Sequence, residues 1–209
     1  KDRSYFYDTF TALNFHSPYN SDTARLDAVV EDIGGDAKDL YLIYISSTDA
    51  YGHSLGPGSQ EFKNILKELD KNLENFFNRL EKIAPGNRYI FLGDHGMLPV
   101  DKQFDAECEI NHIISSSGLS KKRDYVFFLD STMVRFWGLT QKAKKYFSEV
   151  LFKSAAFKEN GSWINDELAE KYSIPWPDRR YGDYLWIANP GVLVFPDFFH
   201  RTNPYKGMH

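Results

Sequence analysis

The apolar positions of this chain follow two different periods, and the switches between them outline its elements. Leu26, Val29, Val30 and Ile33 recur at three- and four-residue spacing, the mark of one helix face. Ser21 or Asp22 supplies the cap, and Gly34-Gly35 ends this helix near residue 33. A longer stripe of the same kind runs through Phe62, Ile65, Leu66, Leu69, Leu73, Phe76, Phe77 and Leu80, with Asp70 on its margin. It predicts a helix over residues 59–83, entered after Gly56-Pro57-Gly58 and stopped by Pro85-Gly86-Asn87. Two other runs are apolar without a break: Leu40-Tyr41-Leu42-Ile43-Tyr44-Ile45 within residues 39–46, and Tyr89-Ile90-Phe91-Leu92. Such runs suit strands buried on both faces of a parallel sheet. Strand, helix and strand in succession make a βαβ unit, whose crossover is right-handed in nearly all proteins.

Beyond residue 100 the rhythm changes. Residues 125–129 and 133–137 read as strands, and residues 140–152 as a helix capped by Thr140. Asn160-Gly161 reads as a turn. Residues 184–188 and 192–195 are apolar runs split by Asn189-Pro190-Gly191, which predicts a hairpin. Residues 1–20 have no clear period, and Ser17-Pro18-Tyr19-Asn20 reads as a turn. The expected fold class is α/β: a mostly parallel sheet flanked by helices, with an added β-hairpin region. The 209 residues fit one domain or a large piece of one.

Composition narrows the function classes. Apolar residues at 42% and charged residues at 26% are those of a globular chain, not a disordered one. The 16% aromatic content reads as core and strand packing. A net charge of −4 argues against a protein whose task is to bind a nucleic acid polymer. Cys108 stands alone, which excludes an internal disulfide framework, and it reads as a small half-buried side chain. No apolar run approaches the roughly 18 residues of a membrane span. The chain carries no signal peptide and opens on Lys1, so it is expected to derive from a longer product, and its compartment is not legible.

Two short clusters carry the chemistry. Asp49-Ala50-Tyr51-Gly52-His53 follows the first apolar run, and Gly93-Asp94-His95-Gly96-Met97 follows the second. Carboxylate oxygen and imidazole nitrogen are ligands that suit zinc. Asp49 and His53 stand four residues apart, so one helical turn puts both on one face. Asp94 and His95 are adjacent and need a turn to act together, which Gly93 and Gly96 permit. Either cluster alone is a weak signal. Two of them just after consecutive strands, where ligands gather in open α/β sheets, point to one metal site. Histidine-rich ligation favours zinc over magnesium. His16, His112 and His200 read as structural or surface histidines, Arg135 as a surface ion-pair partner and Tyr205 as packing.

These residues resemble the alkaline phosphatase superfamily, in its branch of type I phosphodiesterases and nucleotide pyrophosphatases. The resemblance rests on Asp49-Ala50-Tyr51-Gly52-His53-Ser54-Leu55-Gly56-Pro57, on Leu69-Asp70 in the long helix, on Gly93-Asp94-His95-Gly96-Met97 and on Lys206-Gly207-Met208-His209. It implies that Asp49, His53 and His209 hold one zinc ion and that Asp94 and His95 hold part of a second, with manganese as the alternative metal. It also implies hydrolysis of a phosphate mono- or diester. The family's remaining aspartate ligand and its Thr or Ser nucleophile precede the matching region; Ser21 and Thr23 sit at a helix cap and do not fill that role. Residues 1–209 are therefore expected to be the carboxyl-terminal part of one catalytic domain, with the upstream part absent. A parallel sheet without its central strands leaves apolar edges open, so an upstream segment or a second chain is expected to complete it. The rival reading is a non-catalytic metal-binding or interaction fragment of such a domain.

Overall fold

A computed structural model describes residues 21–209, which fall into two compact units that divide after Gly96. The predicted turn at 17–20 and His16 lie outside the described residues.

The first unit is built on three helices: α1 (Asp22–Asp36), α2 (Ser47–Leu55) and α3 (Gln60–Ile83). Ser21 caps α1 by accepting from the Ala24 N–H at 3.1 Å, and Ser59 caps α3 by accepting from the Phe62 N–H at 3.1 Å. The helix α1 runs through Gly34 and Gly35 rather than stopping at them. Leu26, Phe76 and Leu80 are buried where α1 and α3 meet, joined by Val29, Val30, Ile33 and Leu73.

The two apolar runs are the main departure from expectation. Neither residues 39–46 nor 89–92 form a ladder, so the predicted buried parallel strands, and with them the βαβ sheet, are not present among the described residues. Both runs keep the alternation of extended chain. Ile43 and Ile45 turn toward the helices, while Leu40 and Leu42 are 73% and 90% exposed. Likewise Tyr89 and Phe91 meet Phe77 edge-on at 4.7 and 5.6 Å, while Ile90 and Leu92 are 83% and 89% exposed. Each run has a helix layer on one side. No described segment pairs with its backbone to make it a strand.

The second unit closes properly. Its elements are β1 (Leu98–Pro99), β2 (Lys102–Phe104), α4 (Ala106–Ile114), β3 (Tyr125–Leu129), β4 (Met133–Gly138), α5 (Gln141–Glu149), α6 (Ala155–Asn160), β5 (Gly161–Trp163), α7 (Asp166–Lys171), β6 (Tyr184–Ala188), β7 (Val192–Val194) and β8 (Gly207–Met208). Strands β3, β4, β6 and β5 form, in that order, a four-stranded antiparallel sheet. The core on one face gathers Val134, Phe136, Phe147, Phe157, Trp186 and Ile110, all essentially inaccessible to solvent. Thr140 caps α5 as expected, accepting from the Ala143 N–H.

Three expectations need correction here. The runs 184–188 and 192–195 do not form a hairpin: β6 lies in the four-stranded sheet, whereas β7 pairs parallel with β2, Lys102 opposite Val192 and Phe104 opposite Val194. Gly191, at φ +83°, redirects the chain, and its carbonyl accepts from the Asp101 and Lys102 N–H groups. Asn160-Gly161 is a helix-to-strand junction, not a turn. Gly161 is obligatory there, because a Cβ would stand 2.3 Å from both the Trp186 ring and the Ile187 carbonyl. Cys108 is exposed rather than half-buried. Small mixed sheets thus replace the mostly parallel sheet expected for the described chain.

Candidate metal centre

The helix α2 forms directly after the first apolar run and puts Asp49 in its first turn and His53 in its last. Their facing atoms, Asp49 Oδ1 and His53 Nε2, lie 3.3 Å apart, and the His53 side chain is largely buried. At the end of the second run the chain bends, so that Asp94 and His95 lie on one side: Asp94 Oδ2 and His95 Nε2 are 3.5 Å apart. Asp94 Oδ1 accepts from the His95 N–H at 3.0 Å, which holds that bend. His95 Nδ1 faces the Gly96 carbonyl at 3.1 Å. With the ring proton on Nδ1, the Nε2 lone pair is directed outward for a metal.

Donor spacing tests whether these residues fit an ion. Two ligands each about 2.0–2.2 Å from a tetrahedral zinc lie roughly 3.3–3.6 Å from one another. Both Asp–His pairs have that separation. The pairs also approach each other, with one ligand atom of Asp49 and one of His95 within 4.8 Å. Tyr44 reports the same convergence. Burial raises its phenol above the ordinary range, and Asp49 and Asp94 raise it further, against the opposing pull of Arg25. Carboxylates from both clusters therefore act on one side chain. His209, the fifth predicted ligand, follows β8, whose Met208 pairs with Leu98 in the second unit.

The remaining candidates lie elsewhere. His112 is exposed on α4, and His200 sits between the Asp197 carboxylate and the Tyr205 hydroxyl. Among the described residues Arg135 has no carboxylate partner. Its guanidinium donates to the Met133 thioether and lies against the Phe128 and Tyr181 rings, so the surface ion pair expected for it is not formed. Sequence reasoning missed Asp22 and Arg25. Asp22 was a candidate cap for α1, yet its carboxylate serves the start of α2, and nothing in the sequence ties position 22 to position 46. No helix among the described residues is long and apolar enough to cross a membrane.

An α/β domain with paired Asp–His clusters near the ends of two extended runs has the outline of the alkaline phosphatase-like hydrolases. Residues 3–209 match the family described as type I phosphodiesterase / nucleotide pyrophosphatase, and the chain belongs to that family of hydrolases. Among curated relatives, alkaline phosphatase PhoV of Synechococcus elongatus is 48% identical over 60 residues, 28% of this chain and 11% of that protein. Alkaline phosphatase PafA of Elizabethkingia meningoseptica is 41% identical over 63 residues, 29% of this chain and 12% of that protein. The rat ectonucleotide pyrophosphatase/phosphodiesterase family member 7 is 28% identical over 82 residues, 38% of this chain and 19% of that protein. The structure resembles murine ectonucleotide pyrophosphatase / phosphodiesterase 5, solved as an inactive form in complex with AMP. The TM-score is 0.66 at 18% identity, over 90% of this chain and 48% of that one, a likeness of fold. The chain thus spans about half the length of the solved structures it matches.

Proposed function

We propose that this chain is the carboxyl-terminal part of a catalytic domain that hydrolyses phosphate mono- or diesters with two zinc ions. Asp49, His53 and His209 hold one ion, and Asp94 and His95 contribute to the other; manganese is the alternative metal. The observation that carries this reading is the donor spacing of 3.3 and 3.5 Å in the two Asp–His pairs, with Asp49 and His95 within 4.8 Å. His209 enters on the family motif Lys206-Gly207-Met208-His209.

When bound, the metal pair supplies Lewis acidity that stabilises negative charge on the reacting phosphoryl oxygens. The chain's own residues hold and orient. The α2 turn fixes Asp49 and His53 as a pair, and the Asp94–His95 bend fixes the second pair. The two carboxylates offset the positive charge gathered at the site. The Gly96 carbonyl favours the His95 tautomer that carries its proton on Nδ1. A Thr or Ser nucleophile and a further aspartate come from sequence preceding this chain, along with strands that cover the outer faces of residues 39–46 and 89–92.

The test uses the full-length protein, zinc-loaded, with a chromogenic phosphodiester and the matching monoester. His53→Ala and Asp94→Ala should each lower turnover by more than the roughly 10–100-fold cost of removing a residue that only orients a ligand. Each variant should also retain less zinc than the parent by elemental analysis. Unchanged turnover in either variant overturns the assignment.

A further inference from the structure

The helix that carries Asp49 and His53 does not cap itself. Ser46 stands at its N-cap position with φ −92° and ψ −18°, not the extended conformation of the capping serines Ser21 and Ser59, and its side chain makes no cap bond. The first N–H groups of α2 are taken from 24 and 25 residues upstream. Asp22 Oδ1 accepts from the Ser46 N–H at 3.0 Å, and Asp22 Oδ2 from the Ser47 N–H at 3.3 Å. Arg25 then locks the arrangement, donating to Asp22 Oδ1 at 2.7 Å and to Ser46 Oγ at 2.9 Å. Both charged residues are buried, Asp22 at 7% and Arg25 at 9% exposure.

We propose that Asp22 and Arg25 are positioning residues: a buried ion pair that clamps the first turn of α2 and so sets where Asp49 and His53 stand. This inference rests on the metal-site reading above. A desolvated ion pair gives little net stability compared with apolar side chains of the same volume. What this pair supplies is direction. It places an anion at the positive end of a short helix and uses both carboxylate oxygens to fix two successive N–H groups. Ser47 lies two residues before Asp49, so any shift of that turn passes to Asp49 and, one turn on, to His53. The pair acts as outer-shell partners do in metal sites, where their removal weakens affinity roughly 10–100-fold.

The experiment titrates cobalt(II), read by its visible absorption, and zinc, read by competition with a chromophoric chelator, into metal-free full-length protein. His53→Ala identifies which binding step belongs to the Asp49–His53 pair. Asp22→Ala and Arg25→Ala should weaken that step by roughly 10–100-fold and alter its cobalt spectrum, while the other step stays in place. Asp22→Asn, which keeps an acceptor for the amide groups, should recover part of the loss. Leu80→Ala, which loosens the helix packing without touching the clamp, should leave both steps unchanged. If Asp22→Ala does not fold, Arg25→Lys and Asp22→Asn carry the test with the same expectation of weakening at one step only. Parental affinity in the clamp variants, or equal weakening by Leu80→Ala, overturns the inference while leaving the metal reading intact. A parent protein that takes up neither metal overturns both.

Discussion

The two units treat apolar sequence in opposite ways. In the second, Phe136, Phe147, Phe157 and Trp186 are fully buried between a four-stranded sheet and its helices. In the first, the two strand-like runs hold the most exposed large apolar side chains among the described residues, with Leu42 at 90% and Leu92 at 89%. The contrast lies in who supplies the neighbour. Strands β3, β4 and β6 find one another within about 60 residues, whereas residues 39–46 and 89–92 each find a helix on one side and, among the described residues, no strand on either edge. An apolar run encodes a need for burial, and it is met only where the partner is at hand.

The comparison can be broken most forcefully in the second unit. Phe136→Ala should lower unfolding free energy by about 3–5 kcal/mol in urea titration followed by tryptophan fluorescence. A loss below about 1 kcal/mol would mean that this core is not the tight one described. Leu42→Ala probes the other side. If upstream strands cover residues 39–46 in the full-length protein, it should cost about 2–5 kcal/mol there. A change within about 0.5 kcal/mol would mark a surface position and remove the covering strands from the proposal.

Smaller effects sharpen the contrast. Gly161→Ala forces a Cβ against the Trp186 ring and the Ile187 carbonyl and should cost about 1–3 kcal/mol by thermal melt. The Arg123 side chain, the Ser120 N–H and nearby positive charge hold the Asp124 carboxyl below its ordinary range. A lowered folded pKa gives stability that is present above the unfolded value of about 3.9 and fades as pH falls through the folded value. Asp124→Asn should therefore flatten the acid limb of the stability curve below about pH 4, and an unchanged limb would deny Asp124 that role. The smallest shift concerns Tyr44, whose phenol Asp49 and Asp94 push upward. Removing either charge in metal-free protein, as Asp49→Asn or Asp94→Asn, should lower its pKa by ultraviolet titration against a Tyr44→Phe blank. No change in either would deny the convergence of the two clusters.

What could be read in advance follows the range of the interactions. Helices were legible because the cap and the stripe are local: Ser21 with Leu26 to Ile33, the stripe from Phe62 to Leu80, and Thr140 with the run that follows it. Strands β3, β4 and β6 announced themselves by apolar runs of adequate length. The two- and three-residue strands β1, β2, β5 and β8 are too short to show a period, and the partner of β7 lies 90 residues upstream. The Asp49–His53 and Asp94–His95 pairs of the first unit stood out by their spacing and flanking glycines. The Asp22–Arg25 clamp was not, since a carboxylate that reaches 24 residues along the chain leaves no local pattern.

The pairing of Leu98 with Met208 has a consequence for the order of events in the cell. These residues are 110 apart in sequence, and a loop of that size costs about 4 kcal/mol of closure entropy beyond a constant. Val100, whose N–H donates to the Lys206 carbonyl, leaves the ribosome well before its partner. At 5–20 residues per second the delay is roughly 5–20 s. Through that interval the four-stranded sheet can assemble while β1 waits. The β1–β8 pair thus closes late, after a sheet whose strands all precede β8 in sequence.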